Sequence, residues 1–180
     1  MRDDASKKWV GPFVMASVNT RIVHRSHALI GRPWGDDFLY DEAVITGPGA
    51  SGALRAGATA AGLGGGMAAM SIAPIRSLLA DKVLPKPGEG PSPEQQRNGF
   101  FDIRFYGFTA SGTEIVTKVT GDRDPGYGSS AKMLGETALC LLNTDPADTP
   151  GGFWTPSTAL GDSLMRQLEE HAGLDFSIIW

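Results

Sequence analysis

The sequence predicts an α+β fold, a mostly antiparallel sheet covered by helices, and three observations carry that expectation. The stretch GFFDIRFYGFTASGTEIVTKVTG alternates on both sides of Ala110-Ser111-Gly112, the pattern of a β-hairpin with a short glycine-bearing loop. TPSTALGDSLMRQLEEHAG (155–173) carries both end marks of a helix. Thr155 can cap it, Pro156 suits the first helical position, and Gly173 suits the position just past the end. Finally, strands expected at 37, 100, 113 and 174 have helices between them, the order of an α+β domain.

Taken along the chain, PFVMASVNTRIVHRSHALIG (12–31) reads as a helix, because Phe13, Val14, Val18, Ile22, Val23 and Leu29 recur near helical spacing before Gly31-Arg32-Pro33 stops them. DFLYDEAVI (37–45) reads as a strand, with Phe38, Tyr40 and Glu42 on one face. A Gly/Ala-rich stretch follows, then a short helix over 74–84. Residues 85–99, PKPGEGPSPEQQRNG, have the proline and glycine content of a surface loop. SSAKMLGETALCLLN (129–143) reads as a helix entered from Gly126-Tyr127-Gly128. In the 155–173 helix Leu160, Leu164 and Leu168 line one face, and LDFSII (174–179) is the last strand.

A chain of 180 residues has room for one domain with a sizeable core, so 1–180 are expected to form a single domain. The net charge of −4 offers no field that would gather nucleic acid, and no segment interleaves basic with aromatic residues. Cys140, the single cysteine, sits in the apolar run ETALCLLN, where it reads as a small buried hydrophobe rather than a nucleophile or metal ligand. The N-terminal MRDDASKKWV lacks the apolar centre of a secretory signal, so a cytoplasmic location is expected.

Gly47, Gly49 and Gly52 in VITGPGASGALRAG match the dinucleotide fingerprint G-x-G-x-x-G. The fingerprint needs an acidic residue about 20 positions on to meet a ribose. That position falls in uncharged sequence; the first carboxylate after the motif is Asp81, and Pro48 removes an amide from the loop. The match is therefore expected to bind no cofactor. Just beyond it, residues 56–75 carry no charge over 20 positions, the nominal length of a membrane span. Glycine and Pro74 within it argue instead for a buried or partner-covered helix, with Gly62 and Gly66 at small-xxx-small spacing. A second reading is a segment peripheral to a membrane, flanked by Arg55, Arg76, Lys82 and Lys86.

Chemistry-bearing residues concentrate in two places. TGDRDPGYGSSAK (120–132) holds Asp122, Arg123, Asp124 and Tyr127 on a loop between rigid elements, where sites commonly form, while Asp-Pro-Gly is also plain turn chemistry. On the 12–31 helix Asn19, Arg21, Arg25 and Ser26 cluster, and Arg21 and Arg25 share a face at i, i+4, as like charges that call for an anion or an acidic partner. His24 and His27 at i, i+3 lack the companion ligands of a metal site, so none is expected.

Three stretches, PFVMASVNTRIVHRSHALIG, GDRDPGYGSSAKMLGETALCLL and GGFWTPSTALGDSLMRQLEEHAGLDFSI, together with VLPKPGEGPSPEQQRNGFF, resemble the C-terminal half of saccharopine dehydrogenase-like oxidoreductases, a group that includes actinobacterial trans-acting enoyl reductases. The resemblance runs from about Trp9 to the end. It implies a C-terminal α+β domain that shapes the substrate pocket and mediates dimerisation, beside an NAD(P)-binding Rossmann domain. It also implies hydride transfer, in the enoyl reductase branch to a lipid or polyketide intermediate. Eight residues precede Trp9, so this chain is expected to lack the Rossmann half, to bind no NAD(P) alone, and to be inactive without a separate Rossmann partner. The resemblance carries Asn19, Arg21, Asp122, Asp124, Tyr127, Thr155 and Ser157 over as cleft-lining, substrate-binding residues, with no catalytic acid assigned. The alternative function is a non-enzymatic lipid-, membrane- or partner-binding module acting through residues 53–84.

Overall fold

The computed structural model describes residues 1–82, 85–86 and 88–180. They fall into two compact units, one of Met1–His24 with Trp34–Gly90, the other of Arg25–Pro33 with Pro91–Trp180. Helix α1, Ala16–Leu29, contributes its first turns to one unit and its last to the other.

In the first unit β1, Trp9–Pro12, pairs antiparallel with β2, Ala43–Gly47, with Val10 opposite Ile45 and Pro12 opposite Ala43. β1 was not visible as a pattern, since four residues hold too little periodicity to read. The strand expected over 37–45 is corrected to Ala43–Gly47. Its partner stops at Pro12, which has no N–H to donate, so no ladder reaches residues 37–42. Beyond a turn at Pro48 runs α2, Gly49–Met70, 22 residues long and packed on both strands. Its alanines favour the helix and its glycines oppose it, so packing of its first half on the two strands supplies what propensity does not. Of the buried or partner-covered helix expected over 56–75, the buried reading holds only at Ala56, and the helix itself runs from Gly49 to Met70. Helix α3, Ala73–Lys82, follows at a bend of 111°. The expected end of this helix, Val83 and Leu84, lies outside the described residues, as does Pro87 of the expected loop.

The second unit opens within the expected 85–99 loop on a short helix α4, Pro93–Asn98. A capping box forms it: Ser92 accepts from the Gln95 amide at 3.2 Å, and the Gln95 side chain accepts from the Ser92 amide at 2.8 Å. Strands β3, Phe101–Phe108, and β4, Glu114–Gly121, form the expected hairpin, and β5, Leu174–Ile178, pairs antiparallel with β4 to give the order β3-β4-β5. Helices α5, Gly128–Leu142, and α6, Pro156–His171, pack on each other. Leu160, Leu164 and Leu168 of α6 are buried with Cys140, Ala172 and Leu174, and Phe101, Val119 and Phe176 of the sheet pack against them. The helix ends as the sequence requires: Pro156 stands in its first turn, and Gly173 takes the left-handed φ of +72° just past Ala172. Every strand pair among the described residues is antiparallel. The fold is α+β, with no complete Rossmann domain among the described residues.

Candidate functional site

The glycine motif folds locally as its spacing suggests. Strand β2 ends at Gly47 with φ +115°, Gly49 has φ +64°, and a side chain on Gly52 would run into the Gly47 carbonyl oxygen. Strand, tight turn and close-packed helix are thus present. The other requirements of a dinucleotide cradle are not met among the described residues. The neighbour of β2 is antiparallel, and the positions about 20 residues on from the motif lie at the uncharged end of α2. At this motif the described residues do not fit a dinucleotide cradle.

Asp122, Asp124 and Tyr127 come together on the turn from β4 into α5 because six residues span them. Their side chains are spent unequally. The Lys132 ammonium donates to both Asp122 oxygens at 3.0 and 3.2 Å, and the Asp122 amide donates to the Gly173 carbonyl at 3.3 Å, tying this turn to the one after α6. Asp124 accepts from the amides of Gly126, Tyr127 and Gly128 at 3.0, 2.9 and 2.7 Å. These bonds, the one from Tyr127 foremost, hold its carboxyl below the usual aspartate range. A carboxylate so held is a turn former, not a proton donor. Tyr127 is exposed and presents its ring to solvent.

A consequence follows for Asp124→Ala. The folded-state value is depressed, so the stabilisation from Asp124 is present above the unfolded aspartate value of 3.8 and is lost as pH falls through the folded value. Urea midpoints of the parent chain and the variant should therefore differ at pH 7 and converge as pH falls below 3.8 through the folded value. A gap that persists at the lowest pH would mean that the loop, not the ionised carboxylate, carries the effect.

Thr155 and Ser157 meet Ser26 in a hydroxyl cluster at the start of α6. The Ser26 and Thr155 hydroxyls lie 2.8 Å apart, Ser157 reaches Ser26 at 3.4 Å, and the Thr158 hydroxyl lies 2.9 Å from that of Thr155. The Thr158 hydroxyl also accepts from the Thr155 amide at 3.1 Å, so the cluster doubles as the helix cap. Thr155 is buried, Ser26 half-buried and Ser157 exposed. Arg25 donates to the Phe153 carbonyl at 2.7 Å, holding α1 against the segment that leads into α6. Four neutral hydroxyls in one place can hydrogen-bond a carbonyl or hydroxyl oxygen, and none of them is a strong acid.

Asn19 and Arg21 belong to the first unit and the five other expected residues to the second. The Asn19 amide donates to Glu42 at 2.9 Å, and the Tyr40 hydroxyl donates to the other Glu42 oxygen, also at 2.9 Å. Burial, followed by this bond to Glu42, pushes the Tyr40 phenol well up, so it stays neutral and keeps its proton. Arg21 is exposed. Tyr40, Glu42 and Thr158 were not among the expected site residues. The two-residue spacing of Tyr40 and Glu42 and the hydroxyl-rich TPST are the signals that point to them.

Comparison with known proteins adds names to this geometry. The chain is 37% identical over 166 residues to a Mycobacterium tuberculosis protein provisionally named a trans-acting enoyl reductase, covering 89% of this chain and 39% of that protein. It is 38% identical over 168 residues to the trans-acting enoyl reductase of Mycobacterium ulcerans, 90% of this chain and 39% of the relative. The protein of that name from Mycobacterium bovis is 33% identical over 163 residues, again 39% of its length. The chain thus spans about 39% of the length of the curated relatives it matches. No family model and no solved structure matches it.

Proposed function

We propose that residues 1–180 form the substrate-binding and dimerisation part of an oxidoreductase of the trans-acting enoyl reductase kind, working on a lipid or polyketide intermediate and relying on a nicotinamide carrier bound outside these residues. The observation that carries this reading is the 38% identity, over 90% of this chain, to a trans-acting enoyl reductase more than twice its length. The chemistry of the site agrees with it. Asp122 and Asp124 are engaged within the fold, and the Ser26, Thr155 and Thr158 hydroxyls bond one another at the start of α6, where the exposed Ser157 hydroxyl can turn to the polar end of an unsaturated acyl group. A binding and positioning role follows more naturally than acid–base catalysis. Dimerisation draws support from the sheet. Ile103, Phe105, Ile115 and Ile178 share the face that builds the core, yet they remain exposed. A second copy of the chain would cover them.

The test is a chimera in which this chain replaces the matching segment of the Mycobacterium ulcerans enzyme, with NADPH oxidation followed in the presence of an α,β-unsaturated acyl substrate. The chimera should turn over, while the isolated chain should neither oxidise NADPH nor show saturable nicotinamide fluorescence. A folded but inactive chimera, or micromolar NADPH binding by the isolated chain, would overturn the reading.

A further inference from the structure

The start of α2 packs on a two-stranded sheet; the rest of it does not. A helix of 22 residues is ~33 Å long, whereas strands of 4 and 5 residues span at most ~17 Å. Ala56, Leu63, Met67 and Met70 recur at helical spacing on one stripe. Ala56 is buried and Leu63 half-buried, but Met67, past the sheet, is 66% exposed. The stripe that forms the core at one end of the helix thus runs on into the open. Beyond the bend, Ile75 and Leu78 of α3 are also exposed, Leu78 by 56%. Residues 56–75 carry no charge at all.

We infer that the α2–α3 elbow is a membrane-surface anchor for bilayers containing anionic lipid. Met67, Met70, Ile75 and Leu78 enter the boundary between headgroups and acyl chains, and Arg76 and Lys82 meet the lipid phosphates. Two observations select this occupant. Among the described residues no single helix is long and apolar enough to cross a membrane, but α2 and α3 together reach that length and apolarity across their 111° bend. A bend of 111° keeps the pair from forming one straight span, and the proposal lays it along the interface with its exposed apolar stripe toward the acyl chains. Charge supplies the second observation. Residues 53–86 hold Arg55, Arg76, Lys82 and Lys86 against Asp81, four cations to one carboxylate, in a chain whose net charge is −4. Anionic headgroups attract such a segment, whereas a second copy would bring like charges together. This inference goes beyond the enzymatic reading and does not depend on it.

Flotation of the full chain with vesicles of phosphatidylcholine and phosphatidylglycerol, and with phosphatidylcholine alone, tests it. The chain should float with the anionic vesicles, less at high salt, and much less with the neutral ones. The Ile75→Glu/Leu78→Glu variant, changed at two exposed positions, should lose roughly tenfold of the bound fraction with its circular dichroism unchanged. Met67→Trp gives an independent measure on an otherwise native elbow. Its added emission over the parent chain's four tryptophans should shift to the blue on anionic vesicles and be quenched by acyl-brominated lipid. Absence of flotation, equal flotation of parent and glutamate variant, or a Met67→Trp signal that ignores the vesicles would each overturn the proposal. So would a parent chain that stays unbound while sedimentation shows a dimer that the glutamate variant dissolves, since the face would then belong to a second copy.

Discussion

Replacing Leu164 by alanine should destabilise the second unit by about 3 kcal/mol, within the roughly 2–5 kcal/mol typical of buried leucines. Leu164 is the middle of three leucines on α6, each 8% exposed, and its neighbours in the buried cluster are Cys140, Leu160, Leu168, Ala172 and Leu174. Phe101, Val119 and Phe176 close the cluster from the sheet side. Truncation removes the transfer free energy of the lost carbons and leaves a cavity that two helices and a sheet can only partly collapse. The core is small, so the loss is a large fraction of the stability available to the unit. Thermal unfolding followed by circular dichroism should show a midpoint lowered by roughly 10 °C or more. Leu134→Ala is the control: that side chain is 74% exposed on α5, and its loss should stay within about 0.5 kcal/mol. Equal effects at the two positions would mean that the leucine stripe does not face the core.

How much of this architecture could be read beforehand depends on the range of the interactions that build it. The hairpin from Phe101 to Gly121 and the helix opened by Thr155 and Pro156 are specified within a few residues of themselves, so alternation and end marks were enough. The buried places of Leu160, Leu164 and Leu168 followed from periodicity in the same way, and that of Cys140 from the apolar run around it. β2 could not be placed correctly, because its extent is set by Pro12, more than thirty residues away, on a strand too short to announce itself. For α2 the helical state could be inferred from composition, but not the fact that its sheet covers only about half of it. The site divides along the same line. That Asp122, Asp124 and Tyr127 lie close together is a matter of six residues. That Lys132 occupies Asp122, and that Ser26 meets Thr155 across 129 positions, is tertiary structure and leaves no local mark.

Gly52→Ala should cost the first unit about 2 kcal/mol or more, although alanine is the better helix former. Gly52 is buried in the first turn of α2, and an added methyl would overlap the carbonyl oxygen of Gly47 and stand 2.6 Å from its carbon. The obstacle is backbone, so no side-chain rotation relieves it; α2 must lift from β2. Lifting would strain the contact of the Thr46 hydroxyl, whose one proton is shared between the Trp9 and Gly52 carbonyls, each at 2.9 Å, and so links strand to helix. Gly57→Ala, five residues along the same helix, meets open space and should stabilise by roughly 0.5–1 kcal/mol through propensity and the smaller entropy of the unfolded chain. The two substitutions share their chemistry and their helix, so opposite signs isolate the contact at Gly47 from any general effect of alanine. Urea denaturation of both variants beside the parent chain reads the difference directly. If both stabilise, the strand–helix junction is looser than its geometry implies, and the α2–α3 elbow would lose the rigid base from which it is proposed to reach a bilayer.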